Sequence, residues 1–145
     1  MLELPFSLLD DRAQPPDYAR PGDAGADLVA THDVTLSPGG GRALVSTGLS
    51  IAIPKGHAGL VLARSGLAIN HGVTCLNAPG LIDCGFRGEV RVVLINTDPA
   101  QSYEIRAGDR IAQLVVVPVE AVRFSLVDQL PESERGVGGF GHSGR

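Results

Sequence analysis

At 145 residues and 43% hydrophobic content, the chain has room for one domain with a buried core, and a deep site in so small a unit can call for a partner subunit. A net charge of −4 argues against a surface built for a polyanion, so any phosphate recognition has to be local and no direct nucleic-acid binding is expected. Nineteen glycines, ten prolines, no tryptophan and short valine and isoleucine runs favour an all-β domain with frequent turns.

The N-terminus, Met1-Leu-Glu-Leu-Pro-Phe6, has no basic segment leading into an apolar stretch, and no apolar run approaches membrane-spanning length. A soluble, cytoplasmic chain with no membrane partner is the expectation. Alternation of apolar and polar residues over 42–54 predicts a strand interrupted at Gly48, followed by the turn Pro54-Lys-Gly56. Further strands are predicted over 58–62, 73–76, 89–96, 102–105, 110–118 and 121–127, each bounded by Gly, Pro, Asn or Asp. The segment 65–70, Ser-Gly-Leu-Ala-Ile-Asn, is the one short helix predicted. So many short strands imply a sandwich, jelly roll or distorted barrel. Cys75 and Cys84 have no histidine or second cysteine pair at metal-ligand spacing, so they read as free thiols and not as a zinc site. The polar segment 131–135 tethers the last predicted strand to a glycine-rich tail, dividing the chain into a β domain, 1–130, and a flexible lid, 131–145.

Five clusters break the strand pattern: Pro21-Gly-Asp-Ala-Gly-Ala-Asp-Leu28, Ala63-Arg-Ser-Gly-Leu-Ala68, Gly80-Leu-Ile-Asp-Cys-Gly-Phe-Arg-Gly88, Gly108-Asp-Arg-Ile-Ala-Gln113 and the tail from Arg135 to Arg145. Taken singly, each reads as ordinary turn chemistry. The tail is different in kind. Its glycines can turn several N–H groups toward one anion while Arg135 and Arg145 supply charge and Phe140 a flat apolar face, although a disordered terminus has the same composition.

In the sequence and order of these five segments the chain resembles the trimeric dUTPase (dUTP diphosphatase) family of bacterial type, from about Pro21 to the end. The resemblance implies a β-jelly-roll homotrimer with shared active sites. It implies hydrolysis of dUTP to dUMP and pyrophosphate by water attack on the α-phosphorus, which limits uracil in DNA and supplies dUMP for dTMP synthesis. Mg2+ is implied as cofactor, held by phosphate and water oxygens without a protein ligand, with Asp27 reaching it at most through water.

The same resemblance assigns roles by position. Asp83 matches the catalytic base, although locally it also reads as a hairpin turn residue. Arg64, Ser65 and Gly66 would bind phosphate oxygens; the local alternative makes Ser65 a helix cap and leaves Arg64 badly placed against the helix dipole. Asn77 and the backbone of Leu81, Ile82 and Asp83 would read the uracil edge, though Asn77 before Ala78-Pro79 also suits a plain turn. Asp27 and Arg110 form a support pair with Gln113 nearby, organising water and the α-phosphate, or else a structural ion pair. Arg91 matches a substrate-contacting position, or is a solvated strand charge.

Phe86 stands where the family usually has tyrosine, and its ring would pack under deoxyribose and exclude a 2′-hydroxyl; alone it reads equally as core. In the tail, Phe140 would stack on uracil while Arg135, Gly141, His142 and Ser143 close on the phosphates, with His142 departing from the usual hydroxyl. Two rival functions share the fold. A dCTP deaminase is disfavoured because Val93 replaces its catalytic glutamate, and a non-catalytic nucleotide-binding regulator is the main alternative.

Overall fold

A computed structural model describes residues 2–139. The chain order is β1 (Phe6–Leu8), β2 (Ala26–Val29), β3 (Val34–Leu36), β4 (Arg42–Ile51), β5 (His57–Leu62), α1 (Ser65–His71), β6 (Val73–Cys75), β7 (Gly80–Ile82), β8 (Glu89–Asn96), β9 (Tyr103–Ile105) and β10 (Arg110–Pro118). One four-stranded sheet runs β1-β4-β8-β6, a second runs β2-β10-β5-β7, and β3 and β9 form a separate ribbon. All pairings are antiparallel. The protein is thus an all-β, jelly-roll type of fold with one short helix, and among the described residues its sheets remain open and do not close into a barrel.

The core forms where inward-facing positions of both sheets meet. Val45, Leu49, Val90, Val92 and Leu94 from the first sheet join Leu28, Val61, Ile82, Ile111 and Leu114 from the second in one buried cluster. The alternating burial of β8, with Val90, Val92, Leu94 and Asn96 inward, is the period of two seen in its sequence. Asn96 is buried without penalty because its amide donates to the carbonyls of Leu36 and Gln101, pinning the ribbon to the sheet.

The interruption expected at Gly48 is present as a register shift between Ser46 and Leu49 on β4. Gly48 sits at φ +65°, and a Cβ there would come within 2.7 Å of the Ala13 Cβ. Its N–H donates to Glu89 Oε1 at 2.9 Å, and its carbonyl accepts from Leu9 N at 2.7 Å. The irregularity therefore docks the N-terminal loop against the central pair β4–β8.

Helix α1 extends one residue beyond the predicted span. Gly72 ends it in the left-handed region, its N–H returning to the carbonyls of Ala68 and Leu67, and His71 stacks on Tyr103 at 4.8 Å between ring centroids. Arg64 is the extended residue before the first turn, and no side chain caps the helix, so the expected Ser65 cap is absent. Residues 121–127 also depart from expectation, because they form no strand. A strand needs a neighbouring edge, and none of the described strands pairs with this segment, so Val122, Phe124 and Leu126 stand in solvent. No helix of the described residues is long and apolar enough to cross a membrane.

Gly48→Ala is expected to lower stability by about 1–3 kcal/mol, since it adds a clash to a strained φ. Gly22→Ala, at φ +93° but with nothing within 4 Å of the added methyl, should lose only the smaller backbone part. Urea unfolding of both variants measures the difference.

Candidate active site

Asp27 is the buried carboxylate around which three of the five clusters meet. It lies on β2, with a side chain only 8% exposed, and its Oδ2 accepts from Arg110 Nη1 at 3.1 Å. Its Oδ1 lies 3.3 Å from Arg64 Nε, an ionic contact not aligned as a hydrogen bond. Arg64 Nη1 in turn donates to the Arg110 carbonyl at 3.1 Å. The Asp27–Arg110 ion pair expected from sequence is present, and Arg64 joins it as a third member. The carboxylate, and not only a bound anion, offsets the placement of Arg64 before the helix.

Register explains why these residues converge. Gln113 on β10 lies opposite Asp27 on β2 and opposite Leu62 on β5, two residues before Arg64. Gly25 makes room for it, because a Cβ at that position would stand 3.0 Å from the Gln113 Cβ. Arg64, Ser65, Gly66 and Gln113 then line a polar cavity of about 230 Å³, completed by Leu67, Asn70 and His71. Sequence reasoning missed these last three; helical spacing from Gly66 to Asn70 and from Leu67 to His71, four residues each, was the available signal.

A second cavity, about 260 Å³, is lined by Asn77, Leu81, Ile82, Asp83, Phe86 and Arg91, with Glu89 and Val93 among its other walls. Strand β7, not predicted as a strand, pairs with β5 from Gly59 to Val61 and brings Leu81 and Ile82 to this wall. Asp83 follows β7 directly and is exposed to the cavity. The turn beyond it is fastened at several points. Phe86 N donates to the Asp83 carbonyl, and Arg87 Nη1 donates to the carbonyls of Cys84 and Phe86 at 2.9 and 2.7 Å. Glu89 carries Arg91, its Oε2 lying 3.7 Å from the Arg91 Nε.

The two cavities share no lining residue within the chain. Asp83, Asn77, Phe86 and Arg91 form one group and Arg64, Ser65, Gly66 and Gln113 another, with Asp27 and Arg110 behind the second. Arg135 lies outside both, in an exposed turn where its Nε donates to the Gly138 carbonyl at 2.8 Å. Phe140, Gly141, His142 and Ser143 fall outside the described residues. Among the described residues no cluster of three or more His, Cys, Asp or Glu could hold a metal ion. Asp27 is engaged by two guanidiniums, Arg64 and Arg110. Cys75 is buried, which pushes its thiol pKa up, and Cys84 is partly covered; both are free thiols.

The dUTPase family model matches residues 11–144. The chain belongs to the dUTPase family. Curated relatives named deoxyuridine 5′-triphosphate nucleotidohydrolase include that of Leifsonia xyli, 58% identical over 129 residues and covering 89% of this chain and 84% of its own. The relative from Rhodococcus erythropolis is 52% identical over 143 residues, covering 99% of this chain and 87% of its own. Among solved structures, a tyrosine-to-phenylalanine variant of the Staphylococcus bacteriophage 80alpha dUTPase with dUpNHpp superposes with a TM-score of 0.91 at 30% identity, covering all of both chains. A dUTPase variant from phage phi11 of S. aureus, described with a structural Mg(II) ion, gives 0.81 at 26% identity, covering 90% of this chain and all of its own.

Replacing Asp27 by Asn leaves two guanidiniums without their carboxylate. Arg64 and Arg110 are 26% and 51% exposed, so water screens part of the loss, and the expected destabilisation is about 1–3 kcal/mol and not the larger value of a fully buried pair. Denaturant titration of Asp27→Asn against the parent reads it.

Proposed function

We infer that this chain hydrolyses dUTP to dUMP and pyrophosphate by water attack on the α-phosphorus, lowering dUTP available for DNA synthesis and supplying dUMP for dTMP. The observation that carries the reading is the second cavity, where one free carboxylate, Asp83, stands beside Asn77 and the Phe86 ring. That set suits a pyrimidine nucleotide. Asp83 orients and deprotonates the attacking water, while Asn77 and the main chain of Leu81, Ile82 and Asp83 present donors and acceptors to the uracil edge. The Phe86 face packs against deoxyribose and leaves no room for a 2′-hydroxyl. Arg91, held by Glu89, adds positive charge beside the nucleotide.

The first cavity suits the phosphates. Arg64 and Ser65 supply a guanidinium and a hydroxyl, Gly66 leaves its backbone accessible, and Gln113 orients water or the α-phosphate. Asp27 and Arg110 hold Arg64 in place. Mg2+ would arrive with the triphosphate, bound by phosphate and water oxygens, and would supply neutralisation of the developing charge; the described residues offer it no ligand cluster. Residues 131–145 act as the lid in this reading, with Arg135, Gly141, His142 and Ser143 over the phosphates and Phe140 on the base. A reaction on the nucleotide pool fits a cytoplasmic location.

A triphosphate bound in one cavity and a base bound in the other have to meet, and the separation of these cavities within one chain supports a homotrimer whose sites are shared between subunits. Exposure of Val122, Phe124 and Leu126 supports the same assembly, since a neighbouring subunit can cover them. The deaminase alternative loses support. Val93 puts an apolar wall where that reaction needs a glutamate, and Glu89 in the same cavity is engaged by Gly48 N–H and Arg91. No observation favours a non-catalytic regulator, because Asp83 and Arg64 are both in place.

Pyrophosphate release measured with dUTP, dCTP, dTTP and UTP in Mg2+ should be confined to dUTP, and Asp83→Asn should reduce it by at least about 100-fold. Activity on dCTP with ammonia release, or undiminished turnover in Asp83→Asn, would overturn the assignment. Shared sites have their own check. Asp83→Asn and Arg64→Ala chains, each inactive alone, should regain roughly a quarter of parental activity when unfolded together in equal amounts and refolded, because random assembly rebuilds that fraction of complete sites. Sites contained within one chain would give no recovery.

A further inference from the structure

Resting on the reading of Phe86 as the ring beneath the sugar, we propose that Gly88 is a positioning residue for substrate selection: its missing side chain sets where the Phe86 ring stands, and through it the rejection of ribonucleotides. A Cβ at Gly88 would lie 2.8 Å from the ring Cζ, 3.0 Å from Cε2 and 3.6 Å from Cε1. The ring therefore lies directly over the Gly88 backbone.

Backbone geometry does not demand glycine at this position. Gly88 is not among the glycines with positive φ, and no clash other than with the Phe86 ring falls within the three nearest atoms. Gly85, in the same turn, would meet nothing within 4 Å, so two glycines three residues apart do different things. Gly85 faces open space. Gly88 leaves a seat for an aromatic ring.

A methyl at position 88 has to be relieved either by the main chain or by the ring, and the main chain is tied down. Arg87 Nη1 bridges the carbonyls of Cys84 and Phe86, Phe86 N bonds to the Asp83 carbonyl at 3.1 Å, and Ser50 Oγ donates to the Arg87 carbonyl at 2.7 Å. Ser50 is itself the register partner of Glu89, the first residue of β8. The ring is 43% exposed and has two free torsions, so it yields first. It lines the same cavity wall as Asn77 and Asp83. Displacing it by the several tenths of an ångström that the contact requires changes the volume left at the sugar carbon that distinguishes dUTP from UTP.

The experiment uses Gly88→Ala, Phe86→Leu and the double variant, with kcat/KM for dUTP and UTP from pyrophosphate release and thermal unfolding as the control for folding. Gly88→Ala is expected to fold and to lower the dUTP-to-UTP ratio about tenfold. In the Phe86→Leu background, where no ring remains to be displaced, adding Gly88→Ala should alter that ratio by less than about twofold, a coupling that a merely structural glycine would not produce. A folded Gly88→Ala with the parental ratio overturns the proposal, as does an equal drop in both backgrounds or a Phe86→Leu variant with unchanged selectivity. An unfolded Gly88→Ala also overturns it, because the clash would then have fallen on the main chain. A parent chain without dUTP turnover overturns the functional reading itself, a distinct result.

Discussion

The carboxylate of Asp27 is the constraint on which the Arg64 side of the molecule depends. Two cations on separate elements, one just before α1 and one opening β10, are drawn to a single buried anion on β2. Without it, Arg64 would be a charge at the positive end of a helix, next to another arginine, with no reason to hold its position. With it, the guanidinium is fixed against the Arg110 carbonyl while the remainder of Arg64 borders the cavity. A buried ion pair adds little net stability, since desolvation consumes most of its Coulomb energy. Its value here is geometric, because it fixes the relation between the edge strand β2, the central strand β10 and the helix.

The Asp83 side is fixed by different means. Its turn carries no buried charge, and its rigidity comes from neutral carbonyls bridged by Arg87 and from the irregularity at Gly48. That irregularity frees a main-chain N–H from the β4–β8 ladder, and Glu89 accepts it at the point where β8 leaves the turn. Glu89 thus holds the base of the hairpin with one oxygen and faces Arg91 with the other. A local defect in one strand becomes the anchor of the loop carrying Asp83 and Phe86.

Much of this was legible in the sequence, and what was missed has a physical explanation. Strands β4, β5, β6, β8, β9 and β10 were readable because each has inward apolar residues at a period of two or a solid β-branched run. Strand β2 escaped because Ala26, Asp27 and Leu28 are all buried, and burial of an aspartate on both flanks of the ladder erases the alternation. Strand β7 was hidden within a motif that chemistry had already claimed. The segment 121–127 failed in the opposite direction: its alternation is clear, yet alternation makes a strand only where a neighbour pairs with it, and none of the described strands does. Roles were less legible than positions. Asn77, Leu81, Ile82, Asp83, Phe86 and Arg91 line one cavity and Arg64, Ser65, Gly66 and Gln113 another, whereas Asp27, Arg110 and Arg135 line neither; nothing in the sequence signals that Arg64 shares Asp27 with Arg110, a relation set by pairing across strands far apart in the chain.

The division into two cavities follows from the sheet order itself. β5 is the common neighbour of β10 and β7, so the residues after its end, Arg64 and Ser65, lie toward β10 and Gln113, while its middle residues Gly59 and Leu60 pair with Ile82 and Leu81 on the wall of the other cavity. Val61 of β5 lines the cavity of Asp83, and the chain leaving that strand carries Arg64 and Ser65 to the other cavity, so one strand positions parts of both. In the proposed homotrimer, a neighbouring copy would bring its wall of Arg64 and Gln113 to this copy's wall of Asn77 and Asp83 without either sheet being distorted. On this argument, the fold stays small and rigid because it never has to bend both walls around one ligand.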